Sequence, residues 1–293
     1  MAFAHLHCHT EYSLLDGSNK IREYVRQLKA LGQTAGAITD HGVMFGVVDF
    51  YKEAKANGIH PVLGSEVYVA PDSRFKKMSP TGADERRYYH LVLLAENNKG
   101  YENLTHIVSR GYTEGYYYKP RVDMEILRQY HEGLICLSAC LAGEIPHAIM
   151  GGDMDEARAA AQRYIDCFGH DNFFFELQDH GIPQQRQVNQ ALVQLSAEFD
   201  IPLVATNDCH YTYAEDYEAH DHLLCIQTGK KVTDTDRMRY EGGQFYVKSE
   251  EEMRALFPYA PEAIENTQKV AERCKVEIEF GNTKLPHFDV PDG

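Results

Sequence analysis

Two triplets, His7-Cys8-His9 and Asp208-Cys209-His210, each close an apolar, strand-like run near opposite ends of the chain. Alternate residues of a strand share one face, so each triplet aims two donors at one point. Imidazole and carboxylate donors converging from distant stretches are what a zinc, manganese or iron site requires, and they are costly to bury for any other purpose. The first expectation is a polynuclear metal centre, and a fold that brings the two triplets to it.

The chain has 293 residues, enough for two average domains or for one α/β barrel. With 44 acidic against 29 basic residues and a formal charge of −15, it lacks the surface that grips nucleic acid by general electrostatics. A polyanionic substrate would have to be met locally, by metal ions and a few placed cations. The seven cysteines show no paired spacing, and the start, Met1-Ala2-Phe3, lacks a charged and then apolar leader. A reducing cytoplasm with free thiols is the expected location. No apolar run approaches the roughly 18–20 residues of a membrane helix, so no membrane partner is expected.

Short β-rich runs near 2–9, 35–39, 60–69, 88–95, 134–139, 172–178 and 201–206 alternate with helical patterns, which points to a parallel sheet or barrel. Residues 19–31 carry a stripe of Ile21, Tyr24, Val25, Leu28 and Leu31 that stops at Gly32, and residues 45–57 one of Val47, Val48, Tyr51 and Ala54 that stops at Gly58. A capping box opens at Ser249, and Pro261 fits the first turn of a last helix. The segment 70–87, with Arg74, Lys76, Lys77, Arg86 and Arg87 among prolines and glycine, reads as a long exposed loop. Residues 285–293 read as the start of a linker, so the chain is expected to be a fragment.

The donors fall at strand ends. His7 and His9 end the first run, Asp40-His41 the second, Glu66 lies late in the third, Cys140 follows the fifth, and Asp208 and His210 follow the seventh. In a barrel the carboxyl ends of the strands gather at one mouth, the usual seat of catalysis. His90 lies early in its strand and fits this rule less well, while Asp16 sits on the loop leaving the first strand. One histidine at a strand end is ordinarily a hydrogen-bonded structural residue; several ending successive strands shift the balance towards a metal site.

These residues carry a resemblance. The stretches HLHCHTEYSLLDG at 5–17, ITDHG at 38–42, GSE at 64–66, LSACLAGE at 137–144 and ATNDCHY at 205–211 resemble the polymerase and histidinol phosphatase (PHP) domain. More narrowly, with Tyr117-Tyr118-Lys119-Pro120-Arg121 and the closing Leu285-Pro286-His287-Phe288, they resemble the PHP domain that opens the alpha subunit of bacterial DNA polymerase III. The resemblance implies a distorted seven-stranded (β/α)7 barrel of the TIM-like kind over residues 1–284. It implies two or three divalent metals, zinc or manganese first and iron next. It also implies the ligands His7, His9, Asp16, His41, Glu66, His90, Cys140, Asp208 and His210, all of which match. Through bound metals, His7, His9, Glu66, Asp208 and His210 would serve 3′–5′ exonuclease proofreading by phosphodiester hydrolysis. The DNA partner would be the 3′ end of a nascent strand, with Lys119, Arg121, Arg86 and Arg87 on its phosphates. Nucleotidyl transfer itself would belong to domains beyond residue 293, and other replicase subunits would be further partners in DNA replication.

Each part of this has a plainer counterpart. Solvated surface charge is the ordinary role of the four cations, and Tyr116, Tyr117 and Tyr118 could pack against a neighbouring domain rather than stack on bases. His5 shares the alternation of His7 and His9 but is assigned to the barrel interior, and Cys209 to the core. His220 and His222 diverge on a helix and stay outside the site. Two other functions compete: a free-standing PHP phosphatase, and a structural platform that stiffens a polymerase and binds a separate exonuclease subunit.

Overall fold

The computed structural model describes residues 3–77, 87–283 and 285. Among them the helices are α1 (Ile21–Ala30), α2 (Val47–Asn57), α3 (Asn98–Thr113), α4 (Met124–Tyr130), α5 (Glu144–Met150), α6 (Met154–Phe168), α7 (Pro183–Phe199), α8 (Tyr217–Thr228), α9 (Glu250–Leu256) and α10 (Pro261–Arg273). The strands are β1 (Ala35–Ile38), β2 (His60–Val69), β3 (Tyr89–Ala95), β4 (Tyr116–Tyr117), β5 (Lys119–Val122), β6 (Leu134–Leu137), β7 (Phe173–Leu177) and β8 (Leu203–Ala205).

Most of these elements follow from the sequence pattern. The stripe of α1 is buried at Ile21, Tyr24, Val25 and Leu28, each fully buried aliphatic contributing about 1.5–3 kcal/mol. Helix α2 stops at Gly58, whose φ of 74° is a left-handed conformation that costs glycine little. Ser249 and Glu252 close the expected capping box on α9, and Pro261 occupies the first turn of α10.

The strands close into a barrel. β1, β2, β3, β6, β7 and β8 pair in that order, and the extended segment around residues 4–9 bridges the two edges, His5 to Gly36 and Cys8 to Cys209. The main-chain bonds Ala37 N–H to His5 O and His9 N–H to Cys209 O complete the ring. Two details depart from expectation. β3 runs antiparallel to both β2 and β6, so the sheet is mixed rather than parallel. The short β4–β5 hairpin pairs with the end of β2 and was not expected from the sequence.

Alternation sorts the barrel into layers. Ala4, Leu6, Ala35, Ala37, Val62, Val92, Leu94, Ile135, Leu137, Phe174 and Val204 form one inner cluster, joined by Val270 and Ala271 of α10 and by Cys274 just beyond it. The opposite strand faces pack outward under the helices, Cys8 and Cys209 against Tyr24 and Val25 of α1. The first segment bends at His7. The bend shifts the alternation, so Ala4 and Leu6 face inward below it while Cys8 faces outward above it. His5 is therefore buried on the outer face, beside Cys209, and not in the barrel interior where the sequence reading placed it.

The 70–87 segment is also not simply an exposed loop in its described part. Arg74 is buried, ion-paired with Asp123 at 2.9 Å and Glu114 at 2.7 Å. Residues 78–86, and with them Arg86, lie outside the described residues, as do most of the expected linker residues 285–293. No helix among the described residues is long and apolar enough to cross a membrane.

Candidate metal centre

All nine expected ligands gather at one mouth of the barrel. The antiparallel run of β3 explains His90: its start lies where its neighbours end, and His90 pairs in register with Tyr68, two residues beyond Glu66. An early position on a reversed strand is a late position in the barrel.

Glu66 is the hub. Its Oε1 lies 3.2 Å from His7 Nε2, accepts from His90 Nδ1 at 2.9 Å and stands 4.0 Å from Cys140 Sγ. Its Oε2 accepts from His41 Nδ1 at 2.5 Å and lies 3.7 Å from His9 Nε2. Asp208 Oδ1 stands 3.2 Å from His7 Nε2 and 3.1 Å from His9 Nε2, and Asp16 Oδ2 is 3.1 Å from His41 Nε2. His210 Nε2 completes the cluster, 3.8 Å from Asp16 Oδ1.

The histidines are held from behind in the tautomer a metal ligand needs. His7 Nδ1 donates to Glu176 Oε1 at 2.7 Å, His210 Nδ1 to the Asp208 carbonyl at 2.8 Å, and His9 Nδ1 to Ser13 Oγ at 3.1 Å. Ser13 in turn donates to Asp40 Oδ1 at 2.7 Å, so Asp40 braces the site without entering it. The inward Nε2 atoms of His7, His9 and His41 and the Oδ1 of Asp208 are buried, yet none makes a hydrogen bond of acceptable geometry. Leaving such groups unpaired costs about 1–3 kcal/mol each. Buried donor atoms that face one another across 3–4 Å without a well-formed hydrogen bond suit cations between them, and the donor set of imidazoles, carboxylates and one thiol suits zinc or another borderline metal better than magnesium. The residues fit the group.

Electrostatics points the same way. Burial opposes a charge on His41, but Glu66 and Asp16 outweigh it and raise its pKa to about 10. His7 is likewise held well above its ordinary value, burial being outweighed by Asp208, Glu176 and Glu66. His9 is lowered to about 3 by burial and by the neighbouring His41 and His210. The carboxyls of Glu66, Asp16 and Asp208 fall below the carboxylate range, their burial overcome by the surrounding imidazoles. Burial, with Glu66 and Asp208, pushes the Cys140 thiol well up. The cluster is an array of negative charge held together by protons, the arrangement a divalent cation displaces.

The backbone is strained where it aims these groups. Leu15, Ala139 and Asp208 adopt φ of 62°, 63° and 43°; the first two precede Asp16 and Cys140, and the third is itself one of the expected ligands. Such conformations cost about 1–3 kcal/mol each and persist where the surroundings impose them.

Several participants were not foreseen. Glu176, the carboxylate inside the apolar run of β7, secures His7; its isolation among phenylalanines was the available signal. Tyr240, in irregular chain, donates its hydroxyl to Asp16 Oδ1 at 3.1 Å and stands 3.2 Å from His210 Nε2. Nothing in its local sequence marks it. His220, kept outside the expected ligand set, turns its Nε2 to the Asp16 carbonyl, donating at 2.7 Å, and steadies that loop; His222 is exposed.

The expected phosphate contacts divide. Lys119 Nζ lies 5.3 Å from the Tyr68 ring, which stacks towards His41, so it stands at the mouth. Arg87 is exposed over the Tyr118 ring. Arg121 is withdrawn: it is buried, with its guanidinium donating to the carbonyls of Gly115, Arg74 and Lys76. A buried guanidinium with three of its five N–H groups committed to main-chain oxygens is a structural brace rather than an open phosphate contact.

The family description of the PHP domain matches residues 5–180. The DNA polymerase III alpha subunit of Treponema pallidum is 48% identical over 291 residues, covering 99% of this chain and 25% of that protein. The same subunit of Thermus aquaticus is 44% identical over 301 residues, covering 100% of this chain and 24% of that protein. The chain thus spans about a quarter of the length of the curated relatives it matches. Among solved structures, an amidohydrolase from Chromobacterium violaceum aligns with a TM-score of 0.43 at 14% identity, over 72% of this chain and 88% of its own. A two-domain protein from Bacteroides vulgatus with a PHP-like metal-dependent phosphoesterase aligns with a TM-score of 0.43 at 15% identity, over 97% of this chain and 72% of its own.

Proposed function

The chain belongs to the PHP domain family, and from that premise we propose that its metal centre hydrolyses the phosphodiester at the 3′ end of single-stranded DNA. The observation that carries the reading is a set of buried donors without hydrogen-bond partners: His7 and His9 Nε2 between Glu66 and Asp208 Oδ1, and His41 Nε2 against Asp16. The nine residues from His7 to His210 would hold two or three divalent ions. When bound, such ions supply Lewis acidity towards phosphate oxygens and an acidified water as nucleophile near neutral pH.

The chain's own residues divide the remaining work. Glu66 and Asp208 concentrate negative charge at the centre, which sets its affinity for cations. Glu176, Ser13 and the Asp208 carbonyl fix the imidazole tautomers. Lys119 and Arg87 provide positive charge at the mouth, which a chain of net charge −15 needs if a polyanion is to approach. Tyr118, 60% exposed, offers a ring on which an unpaired base can stack.

The high identity to polymerase alpha subunits supports a wider reading. Residues 1–284 would form the PHP domain of a replicative DNA polymerase, residues 285–293 would lead towards its other domains, and the whole would act in the cytoplasm with other replicase subunits. Hydrolysis at a 3′ end would then serve proofreading. The test is cleavage of a 5′-labelled single-stranded oligonucleotide by the full chain, with and without added manganese or zinc. Stepwise 3′ shortening that vanishes in a folded Asp208→Asn variant is expected. Bound metal with no shortening under any metal would move the domain to the role of a structural platform.

A further inference from the structure

The two triplets present a second set of donors on the opposite face of the barrel wall. Cys8 and Cys209, the central residues, pair in a parallel bridge, are fully buried, and point away from the centre described above. His5 joins them, fully buried as well, and one donor atom from each of the three lies within 4.8 Å of the others. His5 Nδ1 is 3.4 Å from Cys209 Sγ. A tetrahedral zinc with S and N ligands at about 2.3 and 2.0 Å sets such atoms roughly 3.3–3.8 Å apart.

The surroundings hold the set in ligand form. His5 Nε2 donates to the Lys248 carbonyl at 2.9 Å, which leaves Nδ1 as the lone-pair nitrogen turned towards the thiols, the second-partner arrangement typical of a metal-bound imidazole. Tyr24, from α1, closes the cluster on its helix side: its hydroxyl lies within hydrogen-bond reach of Cys8 Sγ at 3.1 Å and of the Ala37 carbonyl at 2.9 Å. Two thiols and an imidazole select a thiophilic cation over calcium, magnesium or manganese.

We propose that His5, Cys8 and Cys209 bind one zinc ion that pins the first segment and the 208–210 segment together beneath Tyr24 of α1. The site is structural, closed to substrate, and stands on the back of the two strands that carry the front-face ligands. It is independent of the hydrolytic reading, since it would be present whether or not the front centre cuts DNA.

The test uses the full chain with the front centre disabled by Glu66→Gln and Asp208→Asn and its only thiol removed by Cys140→Ser. Elemental analysis should return one zinc per chain. Replacement by cobalt should give a sulfur-to-cobalt charge-transfer absorption, and both should vanish on adding Cys8→Val and Cys209→Val. Should the valine variant fail to fold, zinc-edge X-ray absorption on the parent carries the test without it, because a sulfur shell there comes from this cluster. No zinc in the folded parent, a zinc without sulfur neighbours, or a Cys8–Cys209 disulfide found by mass would each overturn the proposal.

Discussion

Glu66 shows how one side chain organises a site, because five other groups lie within 4.0 Å of its two oxygens. Its neighbours hold their protons tightly. His41, raised from 6.5 to about 10, stays protonated through neutral pH in metal-free protein, and that proton must leave before the nitrogen can bind a cation. Two opposite trends follow. The stability His41 lends the metal-free chain is fully present below pH 6.5 and fades as pH rises through about 10, whereas metal affinity climbs over the same interval. Thermal unfolding of chelator-treated protein should show a falling midpoint, and zinc titration should show tightening binding with proton release. Affinity independent of pH between 6.5 and 9 would contradict the assignment. At this scale the sequence was legible wherever donors stood at strand ends in a recognised pattern. It was illegible for Tyr240 and for Arg121, whose roles depend on what distant chain brings beside them.

The elements aim these residues through small departures from regularity. Gly17 follows Asp16 where the loop passes under the first segment, and a Cβ there would lie 2.3 Å from the Thr10 carbonyl oxygen. Backbone cannot yield as a flexible side chain can. Gly17→Ala should cost about 1–3 kcal/mol in denaturant unfolding and, by displacing Asp16, weaken metal binding; unchanged stability would show that the loop relaxes freely. Strand and helix positions were readable because hydrophobic period and caps are local signals. Strand direction was not, since alternation reads the same both ways, and the early placement of His90 marked the reversal of β3 before the structure explained it. The bend at His7 was equally hidden, and with it the fate of His5, for a one-residue shift in alternation leaves no trace in composition.

For the molecule as a whole, the barrel brings residues 7 and 210 into one cluster, and phosphodiester hydrolysis there requires that cluster to hold more than one metal. An acidic chain with few cations at the mouth otherwise has no means to meet a polyanion. The kinship with polymerase alpha subunits raises the prospect of DNA as substrate, but the chemistry rests on the centre itself. The decisive measurement is metal content per chain, by elemental analysis of protein purified without chelator, compared between the wild type and a folded Glu66→Gln, Asp208→Asn variant. A difference of two or three equivalents is predicted, with the back-face zinc common to both. A difference of zero would contradict a polynuclear centre at the mouth of the barrel.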